Sequence, residues 1–296
     1  MTSTIGPRHS TRAVLATLFL VAAASVDAQT TAGPSTIDAG PAPAEDASAA
    51  SAAPTRRNVE GAIGLILAYK PAFSGSSDRQ IKPELAGFVR WGRYTLSGAG
   101  GFTTKAQDDV ERGLDALIVK REHLRVNLAL RFDAGRRESE SDQLLGMGDI
   151  PATVRARLNL RWEPAPYWAV NLGSSFDALN RVGGYVVNGS VSRTVLLGGH
   201  QRLILGASIT GAGDRYMQTW YGVTPAQSAA AGYPEYEAPE GLRDMSASAT
   251  WRNDFDAHWA GFASLSASRL LGPAADSPLA LKRNGYGLSI GLARRF

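Results

Sequence analysis

Two stretches of strict alternation constrain this chain more than anything else in it. In Leu124–Asp133, the residues Leu124, Val126, Leu128, Leu130 and Phe132 alternate with Arg125, Asn127, Ala129, Arg131 and Asp133. In 154–162, Val154, Ala156, Leu158, Leu160 and Trp162 alternate with Arg155, Arg157, Asn159 and Arg161. A period of two puts each apolar set on one face of a β-strand and each polar set on the other. In a soluble sheet the apolar face would line a core. In a membrane barrel the faces are reversed, with apolar side chains outward to lipid and polar ones inward to a lumen. These two strands alone are compatible with either arrangement, so the rest of the chain has to decide.

Residues 1–28 read as a secretory signal peptide. Arg8 and Arg12 form its positive start, 13–24 is apolar, and Val26 and Ala28 place small residues before a cleavage expected ahead of Gln29. The apolar run is shorter than the roughly 20 residues that a spanning helix needs. The chain has no cysteine, which excludes a lipoprotein anchor, disulfides and thiolate chemistry. Residues 29–57 are mostly Ala, Ser, Thr, Pro, Gly and Asp without periodicity, which predicts a disordered periplasmic lead-in. The expected folded domain is 58–296. Its formal charge is part of a mild excess of +4 over the whole chain, with no basic run interleaved with aromatics, so nucleic acid is not an expected partner.

From Val59 onward twelve strands are expected, at about 59–70, 81–91, 93–103, 112–120, 123–134, 150–163, 166–178, 183–196, 200–212, 242–252, 257–270 and 284–296. Strands of about 9–13 residues suit a tilted membrane crossing better than the 5–6 typical of soluble sheets. No amphipathic helix pattern of useful length competes. The connections alternate: those after strands two, four, six, eight and ten are short, whereas most of the others are long, the longest being 213–241. Only the link after strand seven, 179–182, is short where a long one is expected. Short turns at one end and long loops at the other are the pattern of an outer-membrane barrel, and an even strand number returns both ends to the periplasm.

The aromatics agree. Trp91, Tyr94, Trp162, Tyr167, Trp168, Trp251 and Trp259 lie beside the short turns, and Tyr69, Phe102, Phe132, Phe176 and Tyr185 at the opposite strand ends, as two interfacial girdles would. In the last strand Tyr286, Leu288, Ile290, Leu292 and the final residue Phe296 share one face. That strand is similar to the terminal signal read by the barrel assembly machinery. Arg294 departs from it at a depth where a charge costs only about 0–1 kcal/mol. Together these features predict an all-β, transmembrane, antiparallel up-and-down barrel of about twelve strands in the outer membrane of a Gram-negative bacterium, in contact with outer-membrane lipids and lipopolysaccharide.

Several segments resemble the MltA-interacting protein / OmpV (MipA/OmpV) family of outer-membrane proteins. The first comprises Trp220, Tyr221, Gly222, Val223 and Thr224, then Gln227, Ser228 and Ala229, Gly232 and Tyr233, Tyr236, and Gly241, Leu242, Arg243 and Asp244. The second comprises Ser268, Arg269, Leu270, Leu271 and Gly272, followed by Ala274, Ala275, Asp276, Ser277, Pro278 and Leu279. A degraded third is Lys70 to Ser76, where the family more often carries acidic or tyrosine residues. The resemblance implies a scaffold linking a murein-degrading lytic transglycosylase to a murein-synthesising penicillin-binding protein. Other members are described as adhesins or surface antigens.

Catalysis would need a base, usually histidine. His9 falls in the expected signal peptide, and His123, His200 and His258 fall at short turns of separate hairpins, far from where a lipase or rim protease needs one. No His/Asp/Glu set is spaced for a metal, and no cofactor is expected. The lumen is the other place for chemistry. Arg125, Arg131, Arg155, Arg157 and Arg161 point inward by the period of two, as do Glu84, Asp115, Asp133 and Asp177. Charges withdrawn from water need partners, which predicts a lumenal network of mutual ion pairs, with an anion-selective pore as the rival. The acidic residues Glu138, Glu140 and Asp142, and Glu235, Glu237 and Glu240, read as solvated outer-loop charge. The reading is a non-enzymatic barrel acting as a periplasmic scaffold, with a narrow channel and a surface adhesin working through 213–241 as alternatives.

Overall fold

The computed structural model describes residues 59–98 and 113–296. The two alternating stretches form neighbouring strands β5 (Leu124–Asp133) and β6 (Thr153–Trp162), whose antiparallel register sets Leu128 opposite Leu158 and Arg131 opposite Arg155. On β5 the apolar set is open to the outside, with Phe132 58% exposed, whereas Ala129 of the other set is 3% exposed. The same inversion runs around the molecule: Leu65, Leu85, Leu172, Leu265 and Ile290 are all exposed on the outer face of their strands. A soluble sheet would leave that face polar, so the apolar band identifies a surface that meets lipid.

The other strands are β1 (Val59–Pro71), β2 (Arg79–Trp91), β3 (Tyr94–Ser97), β4 (Gly113–Lys120), β7 (Trp168–Asp177), β8 (Tyr185–Gly198), β9 (Gln201–Ala212), β10 (Gly241–Asp254), β11 (Trp259–Leu270) and β12 (Asn284–Arg295). Each pairs with its neighbours in sequence, and β1 pairs with β12, giving a closed antiparallel barrel of twelve strands. Closure removes both sheet edges, which is what lets a sheet cross a bilayer with its backbone hydrogen bonds made internally. At the seam Phe296 completes the pairing by exchanging backbone hydrogen bonds with Gly61 at 3.0 and 3.1 Å. Tyr286, Leu288, Ile290, Leu292 and Phe296 all lie exposed on the outer face there. Inside, next to the seam, Ala62, Ile66, Ala86, Phe88 and Ala293 fill part of the lumen.

One rim carries the short turns and the other the long loops. Trp91, Tyr94, Trp162, Tyr167, Trp168 and Trp259 stand exposed at the first, and Tyr69, Phe132, Phe176 and Tyr185 at the second, while Trp251 is only half exposed and donates to Gln201. Phe102, most of the expected strand 93–103, the expected signal peptide 1–28 and the lead-in 29–57 lie outside the described residues. Among the described residues no helix is long and apolar enough to cross a membrane.

The long loops differ from expectation. Although no helix of useful length is legible there, three short α-helices form among the described residues: α1 (Asp214–Tyr221), α2 (Pro225–Ala231) and α3 (Gly272–Asp276). At eight residues or fewer they are too short to be stable alone, so tertiary packing makes them.

Candidate functional site

The long loops fold together into a plug at their end of the barrel. In α1, Met217 and Tyr221 are four residues apart and therefore share a face. Both are buried, against Ala212 of β9, Leu270 of β11, Ala238, and Ala274 and Ala275 of α3. Tyr216 and Trp220, also four apart, stack at 5.7 Å between ring centroids. The helix docks onto the start of β8 because Gly184 has a φ of +77° and no side chain. A Cβ there would come within 2.4 Å of the Tyr216 amide nitrogen.

In α2 a local signal was present: Thr224 caps, Pro225 follows, and Gln227 completes a reciprocal capping box, with left-handed Gly232 closing the end. Gln227 then donates to the Met147 carbonyl at 2.7 Å, and the Tyr233 hydroxyl to the Gln143 carbonyl at 3.1 Å, tying this loop to the one between β5 and β6. The Ser228 hydroxyl donates to the Tyr233 carbonyl at 2.6 Å.

The three family-like motifs, far apart in sequence, meet here. The Ser277 hydroxyl donates to the Tyr221 carbonyl at 2.6 Å and accepts from the Leu279 amide at 3.2 Å. Tyr236 donates to the Pro273 carbonyl, and Val223 and Tyr236 form a two-way backbone bridge. The Lys282 amide donates to the Gly75 carbonyl at 2.9 Å, bringing in the loop after β1. Asp276 pairs with Arg283, and Pro278 follows Ser277 between that pair and the buried Leu279. Gly222 ends α1 with its amide on the Gln218 carbonyl, Gly241 begins β10, and Leu242 lies exposed on the outer wall. A register shift between Leu242 and Asp244 leaves Arg243 without a partner residue on β9, and its guanidinium reaches the Tyr216 hydroxyl at 3.0 Å. Bulges re-aim a side chain in this way.

Burial sets the chemistry of the plug. It pushes the Tyr221 phenol up to about 12, and it raises Tyr236 as well. Arg136, 4% exposed, is lowered from the ordinary arginine value by the same desolvation. Of the outer acidic residues, Glu138 accepts from the Gly148 amide and Glu240 from the Tyr185 hydroxyl.

The structure places Arg125, Arg131, Arg155, Arg157 and Arg161 on the inward face of β5 and β6, and two of the expected carboxylate partners, Asp177 and Asp133, bond to other groups. Asp177 accepts from Thr153 and from the amides of Leu179, Val182 and Gly183, and Asp133 accepts from the Gly135 amide at 3.1 Å. Both aspartates begin loops, where a carboxylate oxygen finds amides of its own turn nearer than any guanidinium. Asp115 accepts from Asn127, and Glu84 pairs with Lys70. Arg161 and Arg125 meet Glu163, at 2.9 and 3.9 Å, and Arg157 donates to Asn159 and Asn188. The strongest cluster was missed altogether. Asp254 at the short-turn rim is shared by Arg202, Arg252 and Arg295, drawn from three strands. Hydroxyls pair between β9, β10 and β11, with Ser208 bonded to Ser246 and Thr250 to Ser264. The three histidines lie exposed at short turns, and no group of three or more potential metal ligands occurs among the described residues.

A closed twelve-stranded barrel, apolar outside and polar inside, with a folded plug of long loops in one mouth, defines an outer-membrane β-barrel protein of a Gram-negative cell envelope. The family model described as MltA-interacting protein MipA matches residues 63–296, and the chain belongs to that family. Similar solved structures include the KdgM porin (7% identity, covering 79% of this chain and 99% of that one, TM-score 0.39) and the NanC porin (8%, 78% and 98%, 0.43). Another is OmpT, an outer membrane protein of Vibrio cholerae (8%, 81% and 97%, 0.36). No curated protein matches the chain.

Proposed function

We propose that this barrel is a non-enzymatic scaffold that holds a lytic transglycosylase at the periplasmic face of the outer membrane and, through it, a penicillin-binding protein. The family match carries this reading, since the family is described by its interaction with MltA. The form of the two rims supports it. The long-loop rim, taken as the outside, is filled by interlocked loops, whereas the short-turn rim presents rigid turns. At that rim Asp256 accepts the amides of His258 and Trp259, and these hydrogen bonds hold its carboxyl below the usual carboxylate range. The 29–57 segment serves as a tether that extends the reach of the rim. Photo-crosslinking residues placed at Glu122, His200 and Asp256 in intact envelopes should yield adducts with a lytic transglycosylase. Absence of such an adduct from all three turns overturns the reading.

A narrow channel is the second reading. It is favoured by the inward Arg131 and the inward Ser266 and Ser268, all exposed to the lumen opposite one another's walls. Stable single-channel conductance of the purified barrel in a planar bilayer supports that alternative, and a silent bilayer removes it.

A further inference from the structure

We propose that the outer end of the lumen, beneath α1, is a binding site for an oxyanion, a carboxylate or phosphate group held by Arg131 and Arg155. The two residues face each other directly across β5 and β6, both on the inward side. Like charges placed opposite one another destabilise a sheet unless something neutralises them. The nearby carboxylates direct their hydrogen bonds elsewhere. Asp177, opposite Arg155 on β7, spends both oxygens on Thr153 and three loop amides, and Asp133 caps the Gly135 amide. Among the described residues neither arginine meets a carboxylate.

Their environments fit a ligand contact. Arg155 is 5% exposed, holds only long bonds of 3.4–3.5 Å to Ser175 and Gly184, and leaves Nη1 buried without a partner. Arg131 is exposed on the inward face. The roof is the Tyr216 ring, 5.2 Å from the Arg155 guanidinium and stacked on Trp220. The indole Nε1 of Trp220 is also buried without a partner, as is Nε of Arg136, whose guanidinium lies 6.0 Å from the Trp220 ring. All three orphaned atoms around this aromatic pair are donors. Buried donors in native proteins are rarely left unmade. A group with several acceptor oxygens satisfies donors, and an anionic one does so through the stronger, charge-assisted bonds. The site goes beyond the scaffold reading and stands or falls separately from it.

The test uses the folded full-length protein in detergent at low ionic strength, titrated with inorganic phosphate in one arm and succinate in the other. Calorimetry and the thermal midpoint of heat-modifiable gel mobility are read for each. Saturable binding with a raised midpoint is expected in at least one arm, and the arm that responds identifies the oxyanion. Arg131→Gln and Arg155→Gln should each weaken binding about tenfold or more, the usual worth of a charge-assisted hydrogen bond. Arg121→Gln, on an exposed short turn, should leave it unchanged. Without ligand, Arg131→Gln should keep or raise the midpoint, because it removes a like-charge neighbour. Binding in neither arm, equal weakening by Arg121→Gln, or a lowered ligand-free midpoint in Arg131→Gln would overturn the proposal.

Discussion

Replacing Ser277 with alanine tests whether the plug is one cooperative unit resting on the barrel. Its hydroxyl joins two chain segments, donating to the Tyr221 carbonyl at 2.6 Å and accepting from the Leu279 amide at 3.2 Å, with Ser277 itself 4% exposed. The substitution leaves a buried carbonyl and a buried amide without these partners, at about 1–3 kcal/mol for each unsatisfied group. The combined cost is therefore about 2–4 kcal/mol, discounted at the upper end for relaxation of the loop. At about 1.4 kcal/mol per factor of ten, the opened plug should become roughly 30- to 700-fold more populated. The strands do not depend on these bonds, so the loss should be local. Hydrogen exchange on the purified barrel reads the difference. The Met217 and Gly222 amides, bonded within α1 to Gly213 and Gln218, should exchange faster by that factor, while the Gly61 and Phe296 amides at the seam keep their protection. Unchanged exchange in α1, or seam amides that loosen in step with it, would refute the reasoning.

Burial of Tyr221 makes the plug alkali-sensitive. Its folded value of about 12 lies above the ordinary 10, so the stabilisation is fully present below pH 10 and is lost as pH rises through 12, a span worth about 3 kcal/mol. A phenolate absorbance titration should show a component near pH 12 that disappears in Tyr221→Phe. At the seam, deleting Phe296 or replacing it with Asp should lower outer-membrane levels and leave periplasmic aggregates, since both its backbone bonds to Gly61 and its apolar outer face are affected; unchanged heat-modifiable barrel on a gel contradicts this. Because the chain lacks cysteine, single substitutions report topology: Glu237→Cys in the plug should react with an impermeant maleimide on intact cells, and Glu122→Cys should react only after permeabilisation.

Much of the fold was legible because its determinants are local. Side-chain parity follows from the pleat, so Leu128 and Leu158 on one face and Arg131 and Arg155 on the other could be read residue by residue. Strand lengths, the alternation of turn and loop, and the placement of Trp91 or Trp259 beside short turns are likewise properties of short windows. The capping box Thr224, Pro225 and Gln227 is a local signal for α2 that strand periodicity does not reveal. The eight residues of α1 were not readable, because a helix that short takes its stability from what it touches.

The sequence by itself determined which side chains face lipid and which face the lumen, since that depends only on position along a strand. It also carried the motifs at 220–244 and 268–279. Only the tertiary structure decided that these motifs close on each other through Ser277 and Tyr221, and that Asp177 serves its own loop rather than an arginine. The same is true of the three arginines gathered by Asp254 and of the opposed Arg131 and Arg155 left without a carboxylate among the described residues. The physical reason is that a partner within a few ångströms is chosen by strand register and loop geometry, which join residues far apart in sequence, as the bonds between Gly61 and Phe296 do. Periodicity gives each residue a direction, and closing the barrel gives it a neighbour.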